Sequence, residues 1–258
     1  MRLHVHEWGP ADAPPVLCIH GITSHGIRFR RLAQERFGDF RVIAVDLRGH
    51  GHSGWEPPWD LETHVADVIE TMDDLGLGRI DIIGHSFGGR TALELAARHP
   101  ERVSRIVLYD PAVWVPPPVA LQRAEEARKD ASFGSIGEAI DARLVTDPKT
   151  PRAYLEEEVP EHLRLMDDGR WRYRYTRAAV VTAYSELAKP APLAQVRAPT
   201  LLIRALGSEV VPEAFADMCR DGMPDCTVVS VPNGHIVMWE AFDETAELTL
   251  GFLQDLRA

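Results

Sequence analysis

Seven short apolar runs punctuate this chain, with stretches of helical periodicity between most of them. That alternation constrains the fold more than any other feature. The runs occupy residues 3–8, 16–20, 41–46, 80–84, 105–110, 200–204 and 227–231. Strands of this length separated by helices predict an α/β architecture, a mostly parallel, doubly wound sheet. The first two runs are separated only by residues 9–15, too few for a crossover helix, so they are expected to form an antiparallel hairpin at the sheet edge. Leu61, Val65, Val68, Ile69, Met72 and Leu75 fall at i, i+4, i+7, i+8, i+11 and i+14, the stripe of one amphipathic helix, which Gly76 ends. Phe242, Thr245, Thr249, Phe252, Leu253 and Leu256 form a second stripe, expected as a final helix packed back on the sheet.

One interval breaks the rhythm. The stretch between the run ending at Asp110 and the run starting at Thr200 is far longer than an ordinary connection and must be an insertion. Pro116, Pro117 and Pro118 mark its exit, Pro190, Pro192 and Pro199 its return, and residues 119–130, 136–143 and 174–188 read as helices. The expected organisation is a core of residues 1–111 and 196–258 with an inserted helical cap of residues 112–195.

Charge narrows the partners. Lys and Arg total 28 against 39 Asp and Glu, a formal charge of -11, which argues against a nucleic acid or an anionic membrane as the main partner. No run approaches the ~18 apolar residues of a membrane span, and residues 1–7 lack the apolar centre of a signal peptide, so a cytoplasmic setting is expected. Cys18, Cys219 and Cys226 are too few and too scattered for a disulfide framework or a zinc site, and read as small buried hydrophobes.

The chemistry concentrates in Ile80-Asp81-Ile82-Ile83-Gly84-His85-Ser86-Phe87-Gly88-Gly89, which enters as a buried strand and leaves as a helix. A Gly-x-Ser-x-Gly turn in that setting forces Ser86 into a sharp corner with its hydroxyl clear of the sheet, and Gly84 and Gly88 remove side chains that would collide. A neutral hydroxyl is a weak nucleophile, so a base and an oxyanion site are needed beside it. His235 follows the last strand in Asn233-Gly234-His235, at the carboxyl edge where open α/β sheets bind ligands. His20-Gly21-Ile22 ends the second run at the same edge, and the N–H groups of Ile22 and Phe87 are the natural oxyanion donors.

With these residues in place, the chain resembles the α/β-hydrolase fold family over essentially its whole length. The likeness rests on His20-Gly21, on Asp46-Leu47-Arg48-Gly49-His50-Gly51-His52-Ser53, on the Ser86 turn, and on Gly234-His235 followed by Trp239-Glu240. It departs from many relatives in lacking an extra leading edge strand. The resemblance implies a cofactor-free serine hydrolase acting on a small-molecule carboxylic ester or lactone through an acyl-enzyme, with carbon–carbon hydrolysis of a diketone, or a low-turnover ligand-binding module, as alternatives. Relatives commonly carry the triad acid in a Gly-x-x-Asp loop, where this chain has Gly207-Ser208-Glu209. A subset carries it one strand earlier, where Asp110 stands; Asp110 is therefore the preferred acid and Glu209 its rival.

Other conspicuous residues receive plainer readings. Residues 46–53 resemble a structural turn in which Asp46 and Arg48 tie loops together. His50 and His52 as metal ligands are set aside because no carboxylate or cysteine lies at metal-site spacing, so no metal is expected. His85 reads as a packing neighbour of Ser86. The run Trp171-Arg172-Tyr173-Arg174-Tyr175 alternates aromatic and basic groups, but the acidic residues around it leave no basic stripe for nucleic acid. Trp114, Tyr175 and Tyr184 are candidate pocket aromatics. Nothing in the sequence fixes the oligomeric state.

Overall fold

A computed structural model describes residues 1–254, so Leu256 of the expected C-terminal stripe lies outside the described residues. The elements in chain order are β1 (Val5–Trp8), β2 (Pro15–Ile19), α1 (Arg30–Arg36), β3 (Arg41–Val45), α2 (Leu61–Asp74), β4 (Ile80–His85), α3 (Phe87–Arg98) and β5 (Val103–Tyr109). There follow α4 (Pro117–Ala127), β6 (Ser132–Phe133), α5 (Ile136–Thr146), α6 (Arg152–His162), β7 (Leu163–Leu165), β8 (Trp171–Tyr173) and α7 (Arg177–Leu187). The chain returns with β9 (Thr200–Ala205), α8 (Glu213–Gly222), β10 (Cys226–Val231), α9 (Val237–Glu240) and α10 (Phe242–Gln254).

Seven strands form one sheet in the order β1-β3-β2-β4-β5-β9-β10, and every pairing except β1 with β3 is parallel. The hairpin expected between the first two strands does not form. β1 pairs antiparallel with β3, Val5 opposite Val45, while β2 is paired on both sides by β3 and β4. The reason lies in the burial patterns. The Val-Leu-Cys-Ile run of β2 is buried throughout and needs neighbours on both edges, whereas β1 is half-buried and suits the rim. Side chains from α2, α3 and α8 pack in one apolar cluster with the sheet, and those of α1, α6 and α10 in another, which makes the sheet doubly wound. No helix among the described residues is long and apolar enough to cross a membrane.

Capping explains where the surface helices begin. The Asp60 carboxylate accepts from the Thr63 N–H at 2.8 Å to open α2, and the Ser135 hydroxyl accepts from the Glu138 N–H at 3.1 Å to open α5. The segment between β5 and β9 carries four helices, including α6, which the sequence pattern did not suggest. It also carries a three-stranded antiparallel sheet, β6-β8-β7.

A buried cation on α3 ties both ends of that segment to the core. Arg90, on α3 and 1% exposed, donates through Nη1 to the Val113 and Lys189 carbonyls at 2.8 and 3.0 Å and through Nη2 to the Pro190 carbonyl at 2.8 Å. It thus grips both the exit and the return of the segment, and Glu94 neutralises it at 2.9 Å. Replacing one partner of such a buried pair leaves an uncompensated charge and costs about 3–5 kcal/mol. For Arg90→Met we therefore expect a fall in Tm on the order of 10 °C, given about 2–4 °C per kcal/mol at this size. Limited proteolysis of the variant should cut first within residues 112–199. Unchanged melting and cleavage would show that the clamp contributes nothing.

Candidate active site

The carboxyl ends of β2, β4, β5 and β10 bring together residues that lie far apart in the chain. Ser86 caps β4 in a strained conformation, φ 54° and ψ -119°, outside the comfortable regions for a residue with a Cβ. The corner survives because it is over-determined: the Ser86 N–H donates to the Tyr109 carbonyl at 3.1 Å, and its carbonyl accepts from Gly89 and Ala112, each at 3.0 Å. It also requires the two glycines around it. A Cβ on Gly84 would lie 2.5 Å from the Gly88 oxygen, and one on Gly88 would lie 2.1 Å from the Ile19 oxygen.

Asp110 follows β5 directly, also at positive φ (39°), and has no exposed surface. One carboxylate oxygen accepts from the Ala205 N–H at 3.0 Å, which locks it against the end of β9. The other lies 2.7 Å from Nδ1 of His235. His235 reaches that position from the loop after β10, where Asn233 adopts φ 75° and its side-chain amide donates to the Glu240 carbonyl at 2.5 Å. Glu209, by contrast, is exposed on the cavity wall after β9. Of the two carboxylates proposed from sequence, Asp110 is the one that meets His235.

Ser86 and His235 line the same cavity, about 560 Å³ in volume. Its wall divides by chemistry: Trp114, Val119, Tyr184 and Phe215 are apolar or aromatic, whereas Arg28 and Arg143 are charged. Arg28 is already paired with Glu158 at 3.0 Å and Arg143 with Asp147 at 2.8 Å. Of the three aromatics singled out from sequence, Trp114 and Tyr184 reach this wall. Tyr175 does not; its ring stacks on Tyr173 at 5.9 Å, and it bridges to His50. A larger groove of about 730 Å³ lies between α4 and α7. It is lined mainly by alanine and other small side chains, contains no histidine, and offers no nucleophile–base pair, so the smaller cavity is the chemically competent one.

The Ile22 side of the cavity is shaped by His20, a histidine whose part the sequence pattern alone does not show. His20 Nε2 accepts from the Leu47 N–H at 2.9 Å, so its Nδ1 carries the proton and donates to the Gly21 carbonyl at 2.7 Å. In a trans peptide the Gly21 C=O and the Ile22 N–H point in opposite directions. Holding the carbonyl on His20 therefore turns the Ile22 N–H the other way. Ile22 lies on the cavity wall, and neither its N–H nor that of Phe87, the first residue of α3, has a protein acceptor among the described residues. The Gly21 backbone is close enough that a Cβ there would lie 3.1 Å from that of Ser86. His85 supports the other side: its buried ring lies 4.6 Å from that of His235, and Nε2 donates to the His235 carbonyl at 3.0 Å.

The remaining motifs are structural. Asp46 accepts from the N–H groups of Gly26 and His52 at 2.7 and 2.9 Å, and Arg48 forks onto Asp67 with two contacts of 2.7 Å. In the aromatic-basic run, Tyr173 packs on Phe133 and His162, while Arg172 pairs with Asp130 and Asp168. Cys18 is fully buried, which pushes its thiol far up in pKa.

Known proteins resemble this chain in sequence and in fold. Residues 16–248 match the family model described as the alpha/beta hydrolase family. The chain is 36% identical over 222 residues to the lipase LipV of Mycobacterium tuberculosis, covering 79% of this chain and 78% of that protein. It is 30% identical over 255 residues to 2-(acetamidomethylene)succinate hydrolase of Mesorhizobium japonicum, covering 90% and 84%. Among solved structures it resembles the crystal structure of E-2-(acetamidomethylene)succinate hydrolase with a TM-score of 0.86 and 26% identity, covering 98% of this chain and 95% of that one.

The site is surrounded by imidazoles that folding keeps neutral. Burial holds His20 and His85 well below the ordinary histidine pKa, lowers His50, and pushes His64, beneath the site on α2, down to about 3. Each group binds its proton more readily when unfolded, so it favours unfolding as pH falls through the unfolded value near 6.5. The stability is intact above that value. His64 alone should cost about 2 kcal/mol at pH 5, from 1.4 kcal/mol per unit below 6.5. We expect Tm to fall steeply between pH 7 and pH 5, and His64→Leu to flatten the slope. A Tm independent of pH over this range would contradict the burial of these rings as neutral bases.

Proposed function

The chain belongs to the alpha/beta hydrolase family, and from that membership we propose that it is a serine hydrolase cleaving a carboxylic ester or lactone through an acyl-enzyme. The observation that carries this reading is the 2.7 Å contact between Asp110 and His235 in the cavity that Ser86 shares. Ser86 Oγ attacks the substrate carbonyl carbon while His235 Nε2 takes the hydroxyl proton, and the carbonyl π electrons move onto oxygen. Asp110 keeps the proton of His235 on Nδ1 and stabilises the imidazolium without taking that proton itself. The N–H groups of Ile22 and Phe87 stabilise the tetrahedral oxyanion, where each such donor is worth about 2.7–4 kcal/mol of barrier. Collapse breaks the carbon–oxygen bond to the alcohol, which leaves with the proton from His235. Water then attacks the acyl carbon as His235 takes its proton, and collapse of this second adduct breaks the bond to Ser86 Oγ, which takes the proton back from His235 as the acid leaves.

In this reading residues 112–195 act as a cap over a core of residues 1–111 and 196–258. Trp114, Val119 and Tyr184 come from the former and Ser86 and His235 from the latter, all on one cavity. The apolar side suits an uncharged acyl or alcohol group. A second reading, a carboxylate-bearing substrate, is favoured by Arg28 and Arg143 on the wall and by the likeness to a hydrolase of a substituted succinate. It ranks second because each guanidinium already has a carboxylate partner.

A fluorophosphonate probe should label wild type at Ser86 and fail to label Ser86→Ala; label at another residue would remove the nucleophile. With a short aryl ester, Asp110→Asn should lower kcat by about 10⁴-fold, and Glu209→Gln should leave it within about threefold. The opposite pattern would move the acid to Glu209. Faster turnover of a succinate half-ester than of a neutral ester would promote the second reading. Tight binding with negligible turnover across the panel would indicate a binding module.

A further inference from the structure

A second concentration of ligating side chains lies away from the cavity, at the edge strand. His4 and His6 are two residues apart where β1 begins, and the period of two in an extended chain puts both on one face. The antiparallel register of β1 on β3 sets Val5 opposite Val45, so His4 faces Asp46, whose N–H donates to the His4 carbonyl at 2.9 Å. His6 Nε2 lies 3.2 Å from Oδ1 of Asp46. One donor atom each from His4, His6 and Asp46 can be chosen so that all lie within 4.8 Å of one another. The His4 ring stands 4.7 Å from that of His6 and 5.1 Å from that of His52.

We propose that His4, His6 and Asp46 form a binding site for a divalent transition cation of the zinc type, with His52 or water completing the shell. Two imidazoles and one carboxylate suit zinc and its neighbours rather than calcium or magnesium, which prefer oxygen alone. A cation about 2.1 Å from both His6 Nε2 and Asp46 Oδ1 holds those atoms about 3.2 Å apart at a ligand angle near 100°. That is the separation found in the fold. The carboxylate is held in place from behind by the Gly26 and His52 N–H groups, the outer support that metal-binding side chains need. Access is open, since His4 is exposed while Asp46 is buried.

The other histidine–carboxylate cluster, His25, Glu158 and His162, satisfies a similar distance test but fails on charge and direction. There Arg28 already donates to Glu158 Oε1 from Nε at 3.3 Å and from Nη2 at 3.0 Å. The His25 and His162 rings are stacked at 4.2 Å and 10°, so their lone pairs run side by side instead of converging. Asp46 has no lysine or arginine partner among the described residues. Strand pairing brings His4 and His6 to Asp46, a juxtaposition that linear spacing within residues 46–53 does not show.

The test is a calorimetric titration of chelator-treated protein with Zn²⁺, repeated with Co²⁺ followed by visible absorption, and with Ca²⁺ and Mg²⁺. We expect one equivalent of Zn²⁺ or Co²⁺ to bind, a rise in Tm on binding, and no binding of Ca²⁺ or Mg²⁺. Affinity should fall by about 100-fold in His6→Ala and at least about tenfold in the exposed-site variant His4→Ala, which keeps the test open should His6→Ala fail to fold. Asp46 is left intact because its carboxylate also holds two backbone amides. Absence of stoichiometric binding, binding retained in His4→Ala/His6→Ala, or binding lost in His25→Ala would each overturn the proposal.

Discussion

The carboxylate of Asp110 has no exposed surface, and both of its oxygens are engaged, one by the Ala205 amide and one by the imidazole of His235. A buried carboxylate without such partners would carry a desolvation cost large enough to unsettle the fold. Its position therefore binds three strands at once. It fixes the end of β5, takes its amide partner from the end of β9, and draws in the loop that follows β10. The carboxyl edge of the sheet is organised around this one side chain, and Ser86, directly after β4, joins it from the neighbouring strand, since His85 and Tyr109 are in register.

Around that centre the protein holds strained or polar elements with neighbours of fixed geometry. Ser86 and Asp110 both sit at positive φ, a conformation that persists only where surrounding contacts over-determine it. Ser86 has its contacts from Tyr109, Gly89 and Ala112, and Asp110 donates its own N–H to the Ile203 carbonyl at 2.8 Å. His20 and His85 act through the backbone: one orients the Gly21–Ile22 peptide and the other holds the His235 carbonyl. Their neutrality follows from burial, so the same desolvation that keeps them as directional hydrogen-bonding groups makes the fold sensitive to acid.

What could be read from the sequence was whatever is encoded locally. The Ser86 turn is legible because its glycines and flanking strand are contiguous, and His235 because a loop after the last strand must lie at the carboxyl edge. The choice between Asp110 and Glu209 was open because loop position does not give side-chain direction; the Ala205 amide settles where the Asp110 carboxylate points. The pairing of β1 with β3 was missed because it depends on which strand needs two neighbours, a property of the assembled sheet. β6, β7 and β8 are two or three residues long, too short to show a period. Arg90 gave no signal at all, because an arginine on a helix reads as surface until the chain returns at Lys189 and Pro190 to cover it.

In the proposed triad the Nδ1–H of His235 donates to the Asp110 carboxylate across 2.7 Å, and proton NMR of this protein observes that proton directly. A resonance far downfield of the amide envelope should be present in wild type and in Glu209→Gln, and absent in Asp110→Asn with the fold intact by circular dichroism. A downfield resonance that survives in Asp110→Asn, or one that disappears in Glu209→Gln, would contradict the account.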